Sequence, residues 1–209
     1  MQTLYEAFSK ARKDSPDLPF LAVSALSGEG SWTYEQAGRE IDRLVACYAA
    51  QGWGAGHRVA LGVGNHPRHF FHFLALNRLG ASVVPLNPDH QGAEIRYTLA
   101  HSKVDLVVAT EQRDGIIRKA IATEPSLSAI PLVAESDLEH ALPASLRPRG
   151  TTRTTLDSEA AILYTSGTSG LPKGLSAKYF RARSFRKVIW GTDILRPAPT
   201  KDEFATGGG

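Results

Sequence analysis

Apolar positions recur along this chain with two different periods, and the two periods take turns. After Thr33, residues Ala37, Ile41, Leu44, Val45 and Tyr48 return at helical intervals until Gly52. Thr33 and Gln36 have the spacing of a capping box, so the pattern predicts an amphipathic helix entered at Thr33. RVALGVG (58–64) is then a short strand-like run, and Asn65-His66-Pro67 opens a helix over PRHFFHFLALNRL that stops at Gly80. The same reading gives ASVVPLN (81–87) extended, GAEIRYTLAHS (92–102) helical, DLVVAT (105–110) extended and Glu111 to about Thr123 helical. IPLVA continues the series, and AAILYT closes it after a Pro-, Arg- and Thr-rich connection from about 140 to 157.

Short strands that are apolar throughout, separated by helices, require cover on both faces. The fold class they predict is α/β: a doubly wound, mostly parallel sheet with helices on both faces. Such sheets take ligands beyond the carboxyl ends of their strands, where strand order reverses. Organisation is read as one domain over residues 1–190, followed by an irregular tail over 191–209.

Composition narrows the classes. With 209 residues, 42% hydrophobic and 22% charged, the chain is globular rather than fibrous or disordered. The opening segment MQTLYEAFSKARKD mixes acids and bases without the apolar core of a signal peptide. No stretch approaches the roughly 20 apolar residues of a membrane span. These observations predict a cytoplasmic protein with no transmembrane segment. Cys47 is the only cysteine, excludes an internal disulfide and sits on an apolar helix face, where it reads as a small buried hydrophobe.

Net charge is +3, but Lys173, Lys178, Arg181, Arg183, Arg186 and Lys187 cluster without an intervening acid. No RNA-binding sheet pattern or zinc-finger spacing accompanies them, so a solvated face is preferred and no nucleic-acid partner is expected. His66, His69 and His72 step by three residues and drift around their helix, which predicts partly exposed polar positions and no metal site. Asp157 and Glu159 stand at the entry to AAILY, the wrong end of the strand for ligands. Trp32, Trp53 and Trp190 read as core or rim aromatics.

The chemistry concentrates in ILYTSGTSGLPKG (162–174). Glycines let backbone N–H groups turn toward a ligand without a Cβ in the way, hydroxyls add donors, and Lys173 supplies a flexible positive charge. Together they describe a cradle for a polyanion such as a triphosphate. The spacing is not Walker A: counting from Gly167, the second required glycine falls on Pro172. A flexible Ser/Gly linker is the plain alternative, but linkers seldom leave a buried strand directly or close on Leu-Pro-Lys-Gly.

YTSGTSGLPKG resembles the signature of the adenylate-forming (AMP-binding) enzymes, which include acyl-CoA synthetases, luciferases and peptide-synthetase adenylation domains. WTYEQ, the block RVALGVGNHPRHFFHFLALNRLGASVVPLNP and EIRYTLAHSKVDLVVA also resemble that family, from about residue 3 to about 180. The resemblance implies that a carboxylate attacks the α-phosphate of ATP to give an acyl adenylate and pyrophosphate, after which a thiol, usually CoA, displaces AMP. Thr165, Ser166, Gly167, Thr168, Ser169, Gly170 and Lys173 would hold the β- and γ-phosphates with Mg²⁺, and no catalytic residue is assigned.

PLNP (85–88), with Asn87 where peptide-synthetase domains more often carry aspartate, looks more like acyl-CoA synthetases. A fatty or other aliphatic acid is the first expectation for the small carboxylic-acid substrate. In the family the adenine and ribose elements and a small C-terminal domain follow the phosphate loop, so the resemblance implies a partial N-terminal domain with little turnover alone. After Gly174 the sequence predicts a helix up to about Trp190 and lacks the Thr-His pair of many relatives. A non-catalytic nucleotide- or anion-binding module, a truncated remnant, an amino-acid adenylation domain and a phosphotransferase remain as alternatives.

Overall fold

The structure is a computed structural model that describes residues 3–23, 30–147, 150, 155–165 and 173–178. The chain opens with helix α1 (Leu4–Asp14), fixed by a capping box in which Thr3 Oγ1 accepts from the Glu6 amide at 3.2 Å and Glu6 accepts from the Thr3 amide at 2.8 Å. Strands β1 (Pro19–Val23) and β2 (Gly30–Thr33) pair antiparallel, and β2 runs directly into α2 (Tyr34–Ala50). The predicted capping box of α2 is present, with Thr33 Oγ1 accepting from the Gln36 amide at 3.2 Å.

From there strand and helix alternate: β3 (Arg58–Gly62), α3 (Pro67–Arg78), β4 (Ser82–Pro85), α4 (Gly92–Ser102), β5 (Leu106–Ala109), α5 (Glu111–Ala122) and β6 (Leu132–Ala134). A short helix, α6 (Leu138–Ala141), precedes the return to β7 (Glu159–Thr165), and β8 (Lys173–Lys178) follows. The main sheet has the order β6-β5-β3-β4-β7-β8. Its first five strands are parallel, and β8 alone runs antiparallel, along the outer edge of β7.

Successive strand residues point to opposite faces, and each face has its own core. Val59 and Leu61 pack with Ile41, Tyr48 and Leu76 on the side of α1, α2 and α3, whereas Ala60 and Val107 pack with Leu99 and Ile117 on the side of α4 and α5. The crossover rule requires connections that run in opposite directions across the sheet to lie on opposite faces. The β3 to β4 step uses α3 on one face; β4 to β5 and β5 to β6 go the other way and use α4 and α5 on the other. The long return from β6 to β7 reverses again, and its Leu138 and Leu142 rejoin the α3 face. The doubly wound expectation therefore holds, and strand order reverses around β3.

Three expectations change. Residues 173–178 form β8 rather than the start of a helix: pairing from Glu159 with Lys178 to Thr165 with Lys173 covers an edge of β7 that would otherwise present unpaired amides and carbonyls. The remainder of that predicted helix lies outside the described residues. His69 and His72 are buried, not partly exposed, because α3 is enclosed by the sheet, α1 and α2 and carries apolar residues on nearly every side. Trp53 is core and Trp32 half-buried, while Cys47 is half-buried against the core rather than inside it.

Candidate functional site

β7 decides where the Ser/Gly-rich tract emerges. It runs parallel to β4 with Ala161 opposite Val83. Four residues then remain to Thr165 but only two to the end of β4 at Pro85, so β7 projects beyond its neighbour at the carboxyl edge. Leaving the same edge are the β3 exit, where Gly64 adopts φ 65°, and the β4 exit, where Asn87 Oδ1 accepts from the Asp89 amide at 2.9 Å. The left-handed φ at Gly64 is one that side chains bearing a Cβ rarely adopt.

Among the sequence-predicted site residues, Thr165 ends β7 and Lys173 begins β8, and the two are direct partners in the antiparallel register. Only their backbones are described. Ser166, Gly167, Thr168, Ser169 and Gly170 lie outside the described residues.

The base of β7 is tied down. Glu159 pairs with Arg58 of β3 through both oxygens, at 2.9 and 3.2 Å, and a third bond joins Arg58 Nη1 to the Ser102 carbonyl at 2.9 Å. Glu159 thus has a structural partner at the amino edge, where sequence reasoning places it. Higher on the strand, Asn77 of α3 donates to the Ala160 carbonyl at 3.0 Å and the Ala81 carbonyl at 3.2 Å.

A cluster invisible in the sequence lies at the other end of β7. The Tyr164 hydroxyl is 2.8 Å from His101 Nδ1 on α4, and the two rings meet edge to face at 5.7 Å. Tyr97, one helical turn earlier, stacks on His101 at 5.4 Å. Gly174 is the cross-strand partner of Tyr164. Partial burial raises the Tyr164 hydroxyl's pKa, so it remains protonated near neutrality. The helical spacing of Tyr97 and His101 is readable, but nothing in the sequence pairs them with residue 164.

A second polar group runs through the α3 core. Tyr48 bonds His72 Nδ1 at 2.8 Å, His72 Nε2 is 3.4 Å from Glu135, and Glu135 pairs with Arg68 at 2.5 Å. Burial lowers the His72 pKa and favours the neutral ring. Burial also opposes charge on Glu135, but its bonds to His72 and Arg68 outweigh that and hold its carboxyl well below the usual range. Burial likewise pushes His69 down to about 4.

Two cavities flank the sheet. One of about 470 Å³ lies between Trp32, Arg43, Phe71 and Glu135; the other, of about 550 Å³, lies at the amino edge by His57, Ser82 and Arg147. Neither is lined by the described residues at the carboxyl end of β7. Among the described residues no three His, Cys, Asp or Glu side chains gather as a metal-ligand group, and no helix is long and apolar enough to cross a membrane.

The profile of the family described as AMP-binding enzyme matches residues 8–196. A sulfoacetate–CoA ligase from Cupriavidus necator is 32% identical over 77% of this chain and 31% of its own length. A hybrid PKS-NRPS synthetase, xenE, from Xenoacremonium sinensis is 33% identical over 81% of this chain and 4% of its own. In the solved, inhibitor-bound N-terminal domain of FACL13 from Mycobacterium tuberculosis, the same fold recurs with TM-score 0.71 and 25% identity over 86% of this chain and 45% of that one. The chain spans about a third of the CoA ligases it matches and a few per cent of the long synthetases. A family profile that follows the sheet from α1 through β8 leaves no doubt about kinship: this chain belongs to the AMP-binding enzyme family.

Proposed function

We propose that this chain supplies the triphosphate-gripping part of an AMP-forming acid–thiol ligase. Position supports the reading above all: β7 leaves the sheet at the carboxyl edge, and Thr165 and Lys173 face one another where the Ser/Gly-rich tract leaves and rejoins it. Thr165, Ser166, Gly167, Thr168, Ser169 and Gly170 would turn backbone amides and hydroxyls toward the β- and γ-phosphates of ATP, and Lys173 would add a mobile positive charge. Their work is to stabilise charge as it accumulates on departing pyrophosphate, where one well-placed donor is worth on the order of 3 kcal/mol of barrier. Mg²⁺ arriving with the nucleotide would neutralise the same oxygens.

The acid is activated to an acyl adenylate and then passed to CoA in this reading, with an aliphatic carboxylate as first substrate. The CoA ligases among the relatives and Asn87 in PLNP favour it. The peptide synthetases among the relatives favour amino-acid adenylation as the second reading.

Nucleotide binding and product identity test the proposal. Binding of Mg·ATP to the 209-residue chain should weaken at least tenfold in Lys173→Ala, the scale of one charged hydrogen bond. Turnover by the chain alone should be slight, and with a panel of acids and CoA its products should be pyrophosphate and AMP. ADP would assign a phosphotransferase, and Lys173-dependent binding with neither pyrophosphate nor AMP formed, even at a low rate, would assign a non-catalytic module. Binding indifferent to Lys173 would remove the phosphate-loop reading altogether.

A further inference from the structure

We infer that His101, which meets the Lys173 end of the tract through Tyr164 and beside Gly174, is a positioning residue that fixes where that end sits. The inference deepens the proposed phosphate-binding role of Lys173 and rests on it. β8 is an edge strand whose only described partner is β7, so hydrogen bonds hold it within the sheet but do little to hold it along the direction perpendicular to the sheet. At Gly174, next to Lys173, that second constraint is supplied by an aromatic ring. A Cβ placed on Gly174 would lie 3.1 Å from Tyr164 Cε1 and Cζ and 3.2 Å from His101 Cε1, closer than side chains normally pack. Gly174 therefore leaves little room for a side chain on the face met by the tyrosine ring and the imidazole edge, the arrangement in which an aromatic ring packs beside a glycine across a strand pair.

The ring itself is not free to move. Its hydroxyl bonds His101 Nδ1 at 2.8 Å, Tyr97 meets it edge to face at 6.3 Å, and Tyr97 backs His101 by stacking. Both backing residues stand on α4, whose Ile95 and Leu99 are fully buried. Rigidity thus passes from the core through α4 to His101, to the Tyr164 ring, and to the backbone beside Lys173. Displacements of about 1 Å are costly where a donor must meet a phosphate oxygen, so this contact bears on ligand binding and not only on folding.

A double-substitution cycle on the 209-residue chain, read by Mg·ATP binding, tests the inference. His101→Ala should weaken binding about fivefold, the scale of one lost hydrogen bond. It should lose most of that effect when Lys173 is already alanine, because the lysine is what the clasp places. His101→Gln, whose amide can still bond the Tyr164 hydroxyl, should recover most of the affinity. Where His101→Ala does not fold, Gly174→Ala carries the same cycle from the opposite strand by pushing the ring away. Equal weakening in both backgrounds would reduce His101 to a fold-supporting role, and unchanged affinity beside an intact Lys173 effect would discard it; either overturns the inference alone. No binding by the unsubstituted chain, or binding indifferent to Lys173, overturns the phosphate-loop reading and takes the inference with it.

Discussion

Mild acid should destabilise this chain through an imidazole before its carboxylates respond. His69 is 6% exposed on α3, with the rings of Phe70 and Phe73 centred 6.1 and 6.3 Å away. Burial, with nearby His72 adding to it, lowers its pKa from 6.5 to about 4. The unfolded chain then binds a proton that the folded chain refuses everywhere between those values. Stability therefore rises with pH across that window and is lost as pH falls from 6.5 toward 4. At 1.36 kcal/mol for each pH unit of displacement, the loss comes to about 3 kcal/mol below pH 4. Against a total of about 5–15 kcal/mol for an ordinary domain, it is easily seen.

The measurement is urea unfolding of the chain and of His69→Leu at intervals from pH 7.5 to 4, followed through the fluorescence of buried Trp53. His72, whose pKa burial also lowers, loses stability with acid in the same direction in both proteins, so the two are compared as a difference. Glu135 contributes in a more acidic window, because its depressed carboxyl loses stabilising charge only as pH falls below the ordinary carboxylate value. The advantage of the leucine variant should grow by about 3 kcal/mol between pH 7 and pH 4. Parallel pH profiles for the two proteins would show that His69 accepts a proton in place, and the burial argument would fail.

Two further substitutions probe how β7 and β3 are held. Asn77→Leu removes the buried bonds to the Ala81 and Ala160 carbonyls and should cost about 2 kcal/mol in urea unfolding; a change under 0.5 kcal/mol would mean that α3 does not anchor β7. A Cβ at Gly62 would lie 2.8 Å from Ile117 Cδ1 and 3.2 Å from Ala109 Cβ, so Gly62→Ala should lower stability by about 1–3 kcal/mol. Ile117→Val beside it should restore part of the loss, and a failure to do so would place the strain elsewhere.

The parallel core was legible because both of its periods are strong. GAEIRYTLAHS predicts a helix over 92–102, and α4 occupies those residues. Strands such as DLVVAT announce themselves by apolar runs that only a two-sided cover explains. What escaped depends on partners distant in sequence. The β1–β2 hairpin is short and half-buried, and its residues carry no clean alternation. β8 looked helical because its basic, mixed sequence has no strand signature of its own; its conformation comes from the vacant edge of β7. The two buried histidines failed for a related reason, since a polar residue on an enclosed helix looks like surface until Tyr48 and Glu135 appear beside His72 and Phe70 and Phe73 beside His69. At the candidate site, sequence supplies the expectation for the tract, most of which lies outside the described residues, whereas the clasp of His101, Tyr164 and Gly174 spans three elements and emerges only from their packing.

The two edges of the sheet show why an anion would be received at one of them. In parallel strand–helix units every helix begins at the carboxyl edge, so α3, α4 and α5 all direct their positive dipole ends toward the side on which β7 emerges. Their negative ends gather at the amino edge, where cations and hydrogen bonds line the cavity there: Arg58 donates to the Ser102 carbonyl and pairs with Glu159, Arg147 pairs with Asp105 at 2.7 Å, and Ser145 bonds His57 at 2.8 Å. None of the three helix ends is a binding site by itself. Their common direction nevertheless sets the sign of the field at the carboxyl edge, the edge at which doubly wound sheets take ligands near the reversal of strand order. Lys173 returns to the sheet at that edge, opposite Thr165. A phosphate-rich ligand held there would meet favourable potential from the scaffold before any side chain of the tract contacts it, so screening by salt should weaken Mg·ATP binding even in Lys173→Ala.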